Sequence, residues 1–155
     1  MPIENPESTA QVAGHPLHPM LIPFPVAFLV GTLVSDLIFW RTGNGAWSTA
    51  SLYLLGAALI MAALAAVAGL TDFIGDERIR NLSAAWHHML GNVVVVLLSL
   101  WNWYRRYDLG EAAVVPNGLL LSLLVVLILL YTGWRGWEMV YRHRVGVSDQ
   151  PDLTP

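Results

Sequence analysis

The chain has no cysteine. That excludes disulfides, Cys-ligated iron–sulfur clusters, thiolate catalysis and the covalent attachment of c-type haem, so any bound metal must be held by His, Asp or Glu. Charge is scarce too: 12% of the 155 residues are charged and 55% hydrophobic, a balance outside that of ordinary soluble domains. With a net charge of -3 and no basic stripe, the chain offers no electrostatic footprint for phosphate backbones, and nucleic acid is excluded as a partner. The opening MPIENPESTAQVAG carries two Glu and neither Lys nor Arg, so it lacks the basic n-region of a cleaved signal peptide. Residues 1–14 read as a mobile polar tail and residues 145–155 as a second one.

Long apolar runs are what the chain has instead. Crossing roughly 30 Å of hydrocarbon at about 1.5 Å per residue takes about 20 apolar residues. Four segments qualify, near Met20–Trp40, Ser51–Phe73, Ala85–Tyr104 and Asn117–Trp137, separated by the polar joints RTGNGAWST, IGDERIRNLS and RRYDLGEAAVVP. MLGNVVVVLLSL and GLLLSLLVVLILL are apolar on all sides, as suits helices surrounded by lipid and protein. The expected fold is all-α: an integral membrane four-helix bundle over residues 15–144, up-down-up-down, with an irregular Pro-rich approach to the first helix.

Four successive crossings would gather the start of the first span, the end of the second, the start of the third and the end of the fourth at one membrane face. All five histidines, His15, His18, His87, His88 and His143, fall there. Trp40, Trp47, Trp101, Trp103, Tyr104 and Tyr107 fall at the far face as an aromatic belt. The histidine face holds Arg78, Arg80, Arg135, Arg142 and Arg144 against Arg41, Arg105 and Arg106 opposite. The positive-inside rule therefore places it, with both termini, in the cytoplasm.

Several residues could carry chemistry. GHPLHPMLIPFP sets His15 and His18 each before a proline, on a stretch whose freed carbonyls need partners. In WHHMLGN the adjacent imidazoles diverge by about 100°. His88 is the inward candidate, sharing a stripe with Asn92 and Ser99, and His87 faces an interface. Asp72 lies at the histidine face, whereas Asp36, nearer the far face, could pair with Arg41 or cap a packing contact. In the second span Ala58, Ala62, Ala66 and Gly69 fit close helix packing, or room for a flat cofactor. Arg78, Arg80 and Arg142 would suit haem propionates. The plainer alternative for the histidines is hydrogen bonding at the headgroup level.

HPLHPMLIPFP with GTLVSD, GLTDF, HMLGN, and GW followed by VYRHRVGV occur in an order that resembles the bacterial membrane-protein family called domain of unknown function 2231, from Gly14 to Val147. Arg135, Trp137 and Arg144 depart from the small residues common there. The resemblance implies a four-helix inner-membrane protein similar in plan to small b-type cytochromes, with His18, Asp72, His88, Asn92 and His143 as the residues that matter. It implies no reaction.

Three functions compete. The first is an electron-transfer module binding haem b, with His18 and His88 as axial ligands, His15, His87 and His143 as substitutes, and a quinone or redox protein as partner. The second is a non-haem Zn, Cu or Fe site drawn from His15, His18, His88, His143 and Asp72. The third is a non-enzymatic membrane subunit with no cofactor. A homo-oligomer is compatible with each.

Overall fold

A computed structural model describes residues 5–147. The ends of the expected polar tails, residues 1–4 and 148–155, lie outside the described residues. A short antiparallel hairpin opens the described chain, β1 (Gln11–Val12) paired with β2 (His15–Pro16). Helices follow: α1 (Leu17–Leu21), α2 (Pro23–Thr42), α3 (Gly45–Gly75), the short α4 (Glu77–Arg80), α5 (Ser83–Leu109) and α6 (Leu119–Tyr141). Three stretches are long and apolar enough to cross a membrane, Leu17–Thr42, Gly45–Gly75 and Ser83–Tyr141. The last, of 59 residues, contains α5, a bend over 110–118 where Val115 is extended, and α6.

The prolines of the first stretch disturb it less than their number implies. α1 runs almost directly into α2, with the Ile22 N–H donating to the His18 carbonyl and Val26 N–H to Ile22. Pro23 occupies the first turn of α2, where a missing amide donor is harmless. At the other end Gly43 closes α2 in the left-handed conformation (φ 65°), with its N–H on the Phe39 carbonyl, and Asn44 caps α3 through Ala46 N–H.

Side-chain contacts set the directions of the helices. On α2 and α3, Asp36 meets Ser51 and Gly31 meets Leu54, so the two run antiparallel. On α5 and α6, Asn102 meets Ser122 and His88 meets Thr132, so these do as well. Leu29, Leu55, Ala58, Val95 and Val125 form a buried centre drawn from all four helices. Outward, large apolar side chains cover every long helix, among them Val30, Ile60, Val67, Leu97, Leu127 and Leu130. In water that surface would be prohibitive; in hydrocarbon it is required.

Three expectations need correction. The inward small-residue line of α3 is Ala58, Ala65 and Ala68, leading to Asp72, while Ala66 faces outward; a period of seven describes it better than steps of four. Trp103 is not a free interfacial residue, because its indole nitrogen lies against Gly56 on α3. Asp36 pairs with Arg106, not Arg41. An aromatic column also stands on α6, where Tyr131, Trp134, Trp137 and Tyr141 are exposed at the histidine end.

Candidate functional site

Two polar centres lie at opposite ends of the helices. The first is built around His18 and His88. His18 projects from α1 onto α3, where its Nδ1 stands 2.7 Å from the Ala65 carbonyl oxygen. His88 projects from α5 onto α6, with Nδ1 2.8 Å from the Thr132 carbonyl oxygen. A carbonyl only accepts, so both imidazoles carry their proton on Nδ1 and leave the Nε2 lone pair free. The ring centres are 6.1 Å apart, with planes at 87°.

Each ring is seated over a glycine. A Cβ on Gly69 would stand 2.7 Å from Cε1 of His18, and one on Gly136 would stand 3.2 Å from Cε1 of His88. Any larger residue at position 69 must displace the imidazole, since real Cβ contacts are never that short. Asn92 supports the second ring from behind: its Nδ2 donates to the His88 carbonyl at 2.8 Å, and its Oδ1 accepts from Thr132 Oγ1 at 3.3 Å.

The other expected ligands lie elsewhere. His15 is exposed on β2 and His143 is exposed beyond α6. On the outer surface, His87 Nδ1 meets the Arg135 guanidinium at 2.7 Å. Asp72 holds the N-terminal segment: its Oδ1 accepts from Ala10 N–H (2.7 Å) and Ser8 Oγ (2.9 Å). Among the described residues no three His, Asp or Glu side chains gather as a metal-binding group. The arginines considered for propionates have other partners. Arg78 pairs with Asp76, Arg142 with Glu138, and Arg80 reaches the Phe73 and Ile74 carbonyls at the end of α3.

The second centre was not anticipated. Asp36, fully buried, accepts from both arms of Arg106 at 2.6 and 2.7 Å, from Ser51 Oγ at 2.6 Å and from Ser122 Oγ at 2.7 Å. Arg106 also donates through Nε to Asn102 Oδ1 at 3.0 Å and to the Ser51 and Ser122 hydroxyls. Four helices thus meet on one ion pair whose oxygens and N–H groups all have partners. Counting Arg106 with the flanking charges hid it. Its signal in the sequence was an acid late in the first apolar run and an arginine just past the third, which the antiparallel pairs α2–α3 and α5–α6 bring to one end.

No curated protein and no solved structure matches the chain. A family model described as a predicted membrane protein, DUF2231, matches residues 14–149, and the chain belongs to that family.

Proposed function

We propose that the chain is an up-down-up-down four-helix bundle of a bacterial inner membrane, holding haem b between His18 and His88 and exchanging electrons with a quinone or redox protein at the membrane edge. The observation that carries this reading is the pair itself: two imidazoles on different helices, each with Nδ1–H on a backbone carbonyl, each with Nε2 free, and no third ligand gathered with them among the described residues. A protein-only Zn, Cu or Fe site needs three or four donors. A porphyrin brings four nitrogens of its own and asks only two of the protein.

Distances are compatible with that division. Imidazole nitrogens ligate metals at about 2 Å, so two opposed nitrogens stand about 4 Å apart; ring centres 6.1 Å apart are of that order once the ring radii are added. Perpendicular ring planes are allowed, because each plane need only contain the axis through the metal. The Ala65 and Thr132 carbonyls would then orient the ligands and raise their basicity, as partners behind metal-bound histidines do. Haem bound there would supply one-electron transfer within the membrane.

A plainer reading has its own support, since each Nδ1–H bond also ties two helices together. The visible spectrum of protein made with ample haem and purified in mild detergent, before and after dithionite, separates the two. The expected result is a Soret band that shifts on reduction and is lost or altered in His18→Ala and in His88→Ala. Absence of both the band and bound metal would leave only structural histidines. Metal in stoichiometric amount without the band would select a non-haem centre.

A further inference from the structure

Arg105 and Arg106 are neighbours on α5 and diverge by about 100°. Arg106 has a partner for every donor. Arg105 has none: its Nε is buried without a hydrogen bond, and no ion pair reaches its guanidinium among the described residues. Asp36 is taken by Arg106, and Asp108 and Glu111, the other acids of this end, do not pair with Arg105. A half-buried cation at the membrane edge, with its Nε shielded from water and without a partner among the described residues, calls for an anion from outside the chain.

The surroundings describe that anion. Arg105 lines a half-open groove of about 350 Å³ between α5 and α6, with Trp101 beside it, Asn117 and Gly118 at the start of α6, and Leu121 and Leu124 farther along α6. The start of α6 has no side-chain cap, and its dipole adds partial positive charge where Arg105 lies. The apolar half of the groove continues into Leu124 and Leu127, both exposed on the outer surface. One end of the groove is cationic and rich in donors, the other apolar and open to hydrocarbon.

We propose that this groove binds one acidic phospholipid, its phosphate on Arg105 and an acyl chain along Leu121 and Leu124. A free phosphate would satisfy the charge and leave the apolar half unused. A zwitterionic lipid would bring its own cation to a site that already has one. Trp101, an exposed residue at this end, stands where indoles favour the headgroup boundary. The groove lies at the end opposite His18 and His88, so this proposal is independent of the haem reading.

The test is native mass spectrometry of the full chain released from mild detergent, offered phosphatidylglycerol and phosphatidylcholine at equal concentration. One phosphatidylglycerol should be retained per chain, preferred on the order of tenfold, as suits one charge-assisted contact. Arg105→Gln should bring the two lipids to parity, and Arg105→Lys should keep most of the preference. Arg41→Gln, an exposed cation of the same end, should change nothing. Leu124→Trp should weaken retention by filling the groove, and it keeps the test decisive if Arg105→Gln does not fold. Equal retention of both lipids by the unaltered protein would overturn the proposal. So would an equal loss in Arg41→Gln, which would mean diffuse surface charge, or displacement by millimolar inorganic phosphate, which would mean a soluble anion.

Discussion

Gly69 sets how closely His18 can approach α3. Because a Cβ there would stand 2.7 Å from the ring and one on Gly136 3.2 Å from His88, Gly69→Ala should displace its histidine and Gly136→Ala should only crowd it. Imidazole signals in NMR spectra of ¹⁵N-histidine-labelled protein should show this as loss of the His18 Nδ1–H bond in the first variant and its retention in the second. Equal effects would mean that the helices yield more easily than the ring contacts require. The Asp36–Arg106 pair makes a sharper demand. Removing one partner strands a buried charge, so Asp36→Leu or Arg106→Leu should each cost about 3–5 kcal/mol of stability, while the double variant should recover part of the loss. Thermal unfolding in detergent around this cycle measures the coupling; additive losses would show that the pair is not a unit. Ser99 behaves oppositely. Its hydroxyl is buried without a partner, so Ser99→Ala should be neutral or stabilise by about 1 kcal/mol on the same assay.

The N-terminal segment, expected as a tail, runs across the histidine end. Ser8 and Ala10 hold Asp72, the Gly146 N–H donates to the Pro6 carbonyl at 2.8 Å and the Leu17 N–H to Ala10 at 2.8 Å. Asp72→Asn weakens the acceptor of this strap without touching its backbone bonds. Hydrogen exchange should then accelerate at residues 7–10 and stay unchanged in the middle of α3, and uniform acceleration would contradict a local role. Asp76 adds a pH dependence, since it also accepts from Glu7 N–H at 3.3 Å. Hydrogen bonds from Arg78 hold its carboxyl below the usual carboxylate range. A lowered folded value means that its contribution is complete above the ordinary carboxylate pKa and is lost as pH falls through the folded one. Protection of the strap should therefore be flat around neutrality and decline only in acid. Of these elements, the long helices were legible because length and hydropathy suffice for a span; α3 and α5 extend past their expected ends because polar caps and aromatic turns continue a helix beyond the hydrocarbon. The strap was not legible, since composition alone does not reveal that Ser8 and Asp72 meet across 64 positions. Arg106 was hidden for a related reason: beside a charged neighbour at the end of an apolar run it reads as a flank, and only its rotation on α5 turns it inward.

At the level of the whole molecule, the polar contacts sort into two ends. Asp36, Ser51, Arg106 and Ser122 meet at one, and Glu111 lies against Gly45 there. His18, Asp72 and His88, with the chain near both described termini, lie at the other. With Arg106 engaged inside, the cations left on the surface of the first end are Arg41 and Arg105, against Arg78, Arg80, Arg135, Arg142 and Arg144 at the second, so the charge bias toward a cytoplasmic histidine end is stronger than the raw count implied. The absence of native cysteine makes this directly testable, because a single introduced thiol is labelled without background. In intact cells, Gly43→Cys and Glu111→Cys should react with an impermeant maleimide, and Glu77→Cys only after permeabilisation. The reverse pattern would invert the protein and keep the bundle. Positions 43 and 111 on opposite sides would refute the bundle itself, and with it the shared depth of Asp36 and Arg106 on which their ion pair depends.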